Sequence, residues 1–243
     1  MEGHLGAVNP VAVFRFSRTE GPGHFATFLD ANRLPWTLVK LDEAQPVPAT
    51  SEGFSGLAFM GGPMSANDDL PWTAPVLALM RDAVDRKVPV IGHCLGGQLL
   101  SRALGGDVTA NPVKEIGWNR IEVENTPTAR EWLGDLKDFT TFQWHGETFT
   151  IPPAAERILT GPHCGNQGYV VDGRHLGMQC HVEMTPEMIA SWLELGADEI
   201  VENLQSPAVM PAEKIRALMP ERLGPLSTTA ERLYTRWMKG LKA

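Results

Sequence analysis

Short apolar runs alternate with helical patterns over the first 104 residues of this 243-residue chain, and this alternation constrains the fold most strongly. Strands that alternate with helices predict right-handed crossovers and a parallel sheet covered by helices on both faces. The predicted strands are residues 11–16, 36–41, 56–60 and 88–91, and the predicted helices are 24–33, 75–86 and 95–104.

The pattern changes after residue 106, where shorter strand candidates separated by turns are typical of antiparallel hairpins. Helical patterns return at 187–204 and 228–241, and a proline-spaced connection runs from Pro207 to Pro225. We therefore expect an α/β fold, a mixed sheet with a parallel core flanked by helices. We divide the chain into a domain of residues 1–204 and a helical extension, 205–243, packed on it. The strand candidates of the second half are 118–123, 140–144, 157–159, 168–171 and 175–183.

The composition argues against nucleic-acid and membrane partners. The net charge is −8, and no basic stripe could neutralise phosphates. No apolar run approaches the roughly 20 residues of a membrane-spanning helix, and the N-terminal ten residues lack the regions of a signal peptide. Three irregularly spaced cysteines fit a reducing compartment. We therefore expect a cytoplasmic protein.

Segment 92–98, GHCLGGQ, predicts a sharp turn between a strand and a helix with Cys94 at its apex. Flanking glycines suit the strained, crowded backbone of a nucleophile elbow. A helix N-terminus also stabilises a thiolate, the form of cysteine that attacks carbonyl carbon. The segment thus indicates a nucleophile for acyl transfer. A buried structural cysteine at a strand–helix junction is the alternative.

A cysteine nucleophile needs a base, and the base needs an orienting group. Segment 179–183, QCHVE, offers both, because residues two apart in a strand point to the same face. His181 and Glu183 are then expected to project together, with Cys180 and Val182 on the other side. The alternative is a pair of exposed strand residues without a partner.

Segment 61–65, GGPMS, follows the third predicted strand. In a parallel sheet this is the edge at which Cys94 also emerges. Backbone amides fixed at such an edge can stabilise an oxyanion. The amides of Gly62 and Leu95 are our candidates for the oxyanion hole, and a turn without chemical meaning is the alternative.

The segments GGPMS, GHCLGGQLL and QCHVE resemble the three signatures of the class I glutamine amidotransferase domain, a flavodoxin-like fold with a Cys-His-Glu triad. The resemblance covers about residues 11–204. Segments 115–118, 144–147 and 166–167 are similar to parts of the glutaminase domain of GMP synthase and its stand-alone relatives.

The resemblance implies that Cys94 is the nucleophile, His181 the general base and acid, and Glu183 the orienting carboxylate. It also implies that four residues help to hold the amino-acid end of glutamine: Gln98, Trp144, His145 and Gly146. The family usually has Phe and Pro at positions 180 and 182, on the side away from the catalytic face.

The resemblance predicts hydrolysis of a γ-glutamyl amide through a cysteine thioester. The substrate is either free glutamine, with ammonia passed to a partner synthase, or a γ-glutamyl peptide or conjugate, which needs no such partner. The sequence contains no synthase domain and no G-x-x-x-x-G-K loop for ATP. A homodimer is possible, because an apolar stripe in 228–241 suits either the core or a dimer contact.

Two other functions fit parts of the pattern. An α/β-hydrolase of the dienelactone hydrolase type has a similar elbow, but its acid precedes its histidine. A non-catalytic interaction module could keep the fold without the reaction. The pairs His163-Cys164 and Cys180-His181 lack the spacing of zinc sites, so we expect neither a metal nor a cofactor.

Overall fold

A computed structural model describes residues 9–242 and confirms the predicted α/β class, with one ten-stranded sheet flanked by helices. The strands are β1 Val11–Arg15, β2 Trp36–Lys40, β3 Gly56–Phe59, β4 Val90–His93, β5 Val108–Val123, β6 Asp138–Phe149, β7 Ala155–Thr160, β8 Gly168–Val171, β9 His175–Met178 and β10 Ala208–Val209. The helices are α1 Gly23–Ala31, α2 Thr73–Asp85, α3 Leu95–Ala103, α4 Pro127–Leu133, α5 Pro186–Leu195, α6 Ala197–Glu202 and α7 Ala212–Met238.

The parallel core of the sheet has the order β2-β1-β3-β4-β9. Beyond β9 the pairing becomes antiparallel through β8, β7 and β5, and the long strand β6 pairs with β5 as a hairpin. The parallel strands end at one edge, and the loops that follow them meet there. The functional site is expected at this edge of the sheet.

Each face of the parallel core is buried. In β1, Val11 and Val13 point into one hydrophobic cluster, and Ala12 and Phe14 point into another. This follows from the two-residue period of a strand and explains why the first four residues of β1 are all apolar. Helices α1, α4, α5 and α7 contribute to the first cluster, and α2 and α3 to the second.

The predicted strand 175–183 is too long. β9 ends at Met178, and beyond it only His181 makes an isolated bridge, with Phe142 of β6. The predicted helix 187–204 is divided into α5 and α6 at Gly196. A Cβ atom at Gly196 would collide with the Trp144 ring, so glycine is required by this close approach.

The proline-spaced connection was also a wrong prediction, because α7 is helical from Ala212 and includes Pro220 and Pro225. An internal proline costs a helix about 3 kcal/mol. Burial of the apolar side of α7 offsets this cost, and the sequence pattern does not reveal it. Helix α4, which the prediction missed, begins with a Thr126 cap and Pro127 in its first turn.

The prediction about an N-terminal signal falls largely on residues 1–8, which lie outside the described range. Within residues 9–242, none of the helices combines the length and the apolar composition needed to cross a bilayer.

Candidate active site

Cys94 occupies a sharp turn between β4 and α3 with a left-handed backbone, φ 47° and ψ −108°. A non-glycine residue adopts this conformation only where its surroundings enforce it. The surroundings here are closely packed backbone. A Cβ atom at Gly92 would collide with the backbone of Gly96, and one at Gly96 would collide with the Phe59 carbonyl. The glycines therefore allow the strand and the helix to approach closely enough to form the elbow.

The loop after β9 brings His181 and Glu183 to the elbow. The His181 Nδ1 atom lies 2.6 Å from Glu183 Oε1, and the imidazole lies close enough to Cys94 for the sulfur to raise its pKa. Both His181 and Glu183 are 1% exposed. The structure thus brings together the three residues that the sequence proposed, although the strand assumed for them is absent.

The electrostatics of this trio favour a charged imidazole. Burial opposes that charge, but Glu183 and Cys94 outweigh it and hold the pKa of His181 well above its usual value. Burial likewise disfavours the ionised carboxylate of Glu183, but the charge of His181 and its hydrogen bond lower the Glu183 pKa to about 2. An imidazolium ion between a carboxylate and a thiol can support a thiolate nucleophile.

His93 supports the trio from behind. Its Nε2 atom lies 3.2 Å from the Tyr234 hydroxyl of α7 and 4.0 Å from Glu183 Oε2. Burial lowers the pKa of His93, against the opposing charge of Glu183, so we assign it as neutral. His93 is therefore a packing and hydrogen-bonding residue and not a second base.

A cavity of about 540 Å³ opens above Cys94. Most of the residues proposed from the sequence line it, whereas Leu95 and Glu183 do not. Glu183 lies behind His181, as an orienting group would. The proposed residues that line the cavity are Gly62, Cys94, Gln98, Trp144, His145, Gly146 and His181.

Gly62 and Leu95 are neighbours, since a Cβ atom at Gly62 would lie 2.7 Å from Leu95 Cδ2. Leu95 is the first residue of α3, so its N–H has no acceptor within the helix. Neither of the two N–H groups donates to a backbone carbonyl within residues 9–242. This arrangement can supply two amides to an oxyanion.

Gln98 and Gln179 link the nucleophile to β6. The Gln98 amide donates to Gln179 Oε1 at 3.1 Å and to the Glu147 carbonyl at 3.4 Å. The Gln179 amide in turn donates to Cys94 Sγ at 3.5 Å. Gln179 was not predicted as a site residue, although it lies two residues before His181 and therefore at the same edge of the sheet.

His145 fixes the β6 wall of the cavity. Its Nδ1 atom lies 2.9 Å from the Glu147 carbonyl, which can only accept, so Nδ1 carries a proton. Its Nε2 atom lies 2.9 Å from Glu115 Oε2, to which Gln167 also donates. This buried network sets the position of the strand that carries Trp144.

Glu115, His145 and Cys164 each place one possible metal-ligand atom within 4.8 Å of the other two, and they are the only such group among residues 9–242. These atoms already have hydrogen-bond partners. His145 and Glu115 bond to each other, and the Cys164 thiol lies 3.2 Å from the Thr148 hydroxyl. The cluster is therefore explained as internal hydrogen bonding.

Sequence reasoning missed other residues of the cavity wall, among them Glu20, Lys114, Trp192 and Glu199. The Trp192 ring packs edge-on against His181, with 4.9 Å between ring centres. Glu20 could have been found, because it follows β1 at the same edge that places Cys94. The other three depend on how the second half of the chain folds back.

The sequence model of the glutamine amidotransferase class-I family matches residues 27–196. The glutamine amidotransferase-like protein YfeJ of Salmonella typhimurium is 26% identical over 190 residues, which cover 76% of this chain and 79% of that protein. The glutamine-hydrolysing GMP synthase of Lacticaseibacillus casei is 32% identical over 132 residues, but these cover 53% of this chain and only 24% of the synthase.

Solved structures show the same fold. A glutamine amidotransferase from Methylobacillus flagellatus is 47% identical, with a TM-score of 0.94 over 97% of this chain and 96% of that one. A glutamine amidotransferase from Thermotoga maritima is 24% identical, with a TM-score of 0.84 over 95% and 98% of the two chains. These matches do not support the α/β-hydrolase alternative.

Proposed function

Because the chain belongs to the class I glutamine amidotransferase family, we propose that it hydrolyses a γ-glutamyl amide through a thioester on Cys94. The observation that carries the proposal is that Cys94 and His181 line the same cavity, with the His181 imidazole held by Glu183 at 2.6 Å. Glu183 itself does not line the cavity and lies behind His181. A thiolate, a base and an orienting carboxylate are the components of cysteine acyl transfer.

In the first half of the reaction, the Cys94 thiolate attacks the γ-carbonyl carbon of the substrate. The carbonyl π electrons move to oxygen, and the amides of Gly62 and Leu95 stabilise the resulting oxyanion. As the tetrahedral intermediate collapses, the C–N bond breaks and His181 donates its proton to the leaving nitrogen. Ammonia or an amine leaves, and the glutamyl thioester remains on Cys94.

In the second half, a water molecule enters from the cavity. Neutral His181 takes a proton from it, and the hydroxide attacks the thioester carbon. The same amides hold the second oxyanion. Collapse breaks the C–S bond and releases glutamate, and the proton returns the pair of Cys94 and His181 to its starting state.

The identity of the leaving nitrogen separates two forms of this proposal. If the substrate is glutamine, the product is ammonia, and a synthase partner would consume it. If the substrate is a γ-glutamyl peptide or conjugate, the released amine is the product and no synthase is required. Glutamate release by the purified chain, with and without cell extract, separates the two forms, because only partner-dependent hydrolysis is stimulated by extract.

The central test compares glutamate release by the wild type and by Cys94→Ala on glutamine and on a panel of γ-glutamyl amides. We expect the substitution to lower kcat by about 10⁴- to 10⁶-fold, as expected for loss of a nucleophile. A glutamyl thioester trapped by rapid denaturation should appear in the wild type alone.

Cys180→Ala is the matched control, because it removes a buried thiol that does not line the cavity. It should retain the thioester and most of the turnover. The proposal is wrong if the wild type releases no glutamate from any compound, alone or with extract, or if Cys94→Ala remains active.

A further inference from the structure

Glu20 lies next to His181 in the cavity, and the proposed hydrolysis gives it no role. The β1–α1 loop that carries it is fixed, because the Trp192 indole donates to the Thr19 carbonyl over 2.8 Å. A Cβ atom at Gly61 would collide with Glu20 Oε2 and lie 3.0 Å from His181 Cε1. The carboxylate and the imidazole therefore converge on one backbone position.

This position is on the leaving-group side of the nucleophile. His181 protonates the leaving nitrogen, so that nitrogen faces His181 and, beside it, Glu20. Two of the residues expected to hold the glutamyl end, Gln98 and His145, hydrogen-bond to the Glu147 carbonyl of β6.

The other carboxylates that line the cavity have partners. Glu199 pairs with Lys114 and also accepts from the Trp144 indole at 2.7 Å. Glu147 accepts from Ser65. Lys114, the only lysine of the cavity wall, is therefore already paired and does not neutralise Glu20.

Glu20 differs from these carboxylates. Burial raises its pKa to about 7, while the charge of His181 lowers it and that of Glu183 raises it. No hydrogen bond from residues 9–242 contributes to this shift. A cationic group bound beside Glu20 would restore the ionised carboxylate and form a charge-assisted hydrogen bond with it.

We propose that Glu20 is a specificity-determining residue that binds an ammonium group carried by the leaving group. The preferred substrate is then a γ-glutamyl amide of a short aliphatic diamine, in which one nitrogen forms the scissile amide and the other is protonated. This inference rests on the proposed hydrolysis and names its substrate class. Water cleaves the amide, and the products are glutamate and the free diamine.

The cavity has room for this leaving group. Its volume of about 540 Å³ lies within the range of about 300–1,000 Å³ found for small-molecule pockets. The Trp192 ring, which packs edge-on against His181 with 4.9 Å between ring centres, offers an apolar surface for the methylene chain. Aromatic faces also attract a nearby ammonium group.

The test compares two amides of matched shape, γ-glutamyl-diaminopropane and γ-glutamyl-butylamine, which differ by an ammonium group in place of a methyl group. In the wild type we expect kcat/KM for the diamine amide to exceed that for the butylamine amide by about 10- to 100-fold, the contribution of one hydrogen bond to a charged group. This comparison requires no variant and does not depend on how a substitution folds.

Glu20→Gln should reduce the ratio of the two kcat/KM values to near one, and Glu20→Asp should restore part of it. Glu194→Gln is the control, because Glu194 is exposed on α5 and does not line the cavity. It removes the same charge close to the site and should leave the ratio unchanged.

The inference is overturned if the wild type cleaves the butylamine amide at least as well as the diamine amide, or if Glu20→Gln keeps the wild-type ratio. In both cases hydrolysis itself would continue, so the proposed function would stand. If neither amide nor glutamine is cleaved, the proposed function fails and this inference fails with it.

Discussion

At the scale of single residues, the elbow depends on glycines that leave no space for a side chain. Gly96→Ala would place a methyl group against the Phe59 carbonyl. We expect a loss of about 1–3 kcal/mol in the free energy of unfolding, the usual cost of overpacking. We also expect slower alkylation of Cys94, because the turn that presents it is displaced. Urea denaturation and the rate of iodoacetamide labelling measure the two effects.

Gly165→Ala is the control for this prediction. Gly165 is exposed, has no positive φ and has no neighbour within 4 Å of an added Cβ atom. It should be neutral or stabilising. A Gly96→Ala protein as stable as the wild type would show that the elbow tolerates a wider turn.

Glu183 should matter more for turnover than for substrate binding. Glu183→Gln keeps the shape of the side chain but removes the charge that stabilises the imidazolium form of His181. We expect kcat to fall by about 10⁴-fold with little change in KM, as in other triads whose acid is replaced by its amide. Steady-state kinetics on any accepted γ-glutamyl amide measures both quantities. A kcat within tenfold of the wild type would contradict an orienting role.

The contribution of Glu183 to the free energy of unfolding should depend on pH. The folded protein holds the Glu183 pKa at about 2, below its ordinary value of 4.5. Ionised Glu183 therefore contributes stability above the ordinary pKa, and this contribution is lost as the pH falls through about 2. The wild type should exceed Glu183→Gln in unfolding free energy at neutral pH, and the difference should shrink on acidification. Urea titrations at several pH values test this, and a constant difference would contradict it.

At the scale of elements, α7 connects the C-terminal region to the active site through Tyr234. Tyr234→Phe removes the hydroxyl that pairs with His93 but keeps the ring, which packs edge-on against Phe25. We expect a loss of about 0.5–1.5 kcal/mol in unfolding free energy, one buried hydrogen bond. Since Tyr234 does not line the cavity, kcat should change by less than tenfold. A loss comparable with that of Glu183→Gln would instead place Tyr234 in the chemistry.

The elements differ in how far the sequence predicts them. β8 was predicted with its observed bounds, because buried apolar runs between turns are a local signal. The prediction shortened β5 and β6 to 118–123 and 140–144, since polar residues interrupt the apolar pattern in their outer halves and resemble loops. These halves pair with each other across the hairpin, and that long-range pairing has no local signature.

The residues of the candidate site also differ in how far the sequence predicts them. Cys94 and the pair His181 and Glu183 belong to short segments with recognisable chemistry. Their proximity could therefore be predicted, although the strand predicted to carry the pair is absent. Glu20 is a single acid in a turn. Its significance depends on burial and on the charges of His181 and Glu183, which only the folded chain brings near it.

At the scale of the whole molecule, α7 is packed into the core that supports the site. Trp237 is fully buried, and a Cβ atom at Gly56 of β3 would lie 2.8 Å from its ring. Trp237 also packs edge-on against Phe25 of α1. The division at residue 204 stays a prediction, and these contacts favour an extension that folds together with the first domain.

Native-state hydrogen exchange tests this cooperativity. We expect the amides of α7 between Leu226 and Trp237 to exchange with the same free energy and urea dependence as those of β4, because both open only in global unfolding. Trp237→Ala should lower both free energies equally, by about 3–5 kcal/mol. If α7 exchanged at a lower free energy while β4 kept its protection, the C-terminal region would be a separate unit. The support of His93 by Tyr234 could then be lost without unfolding the sheet.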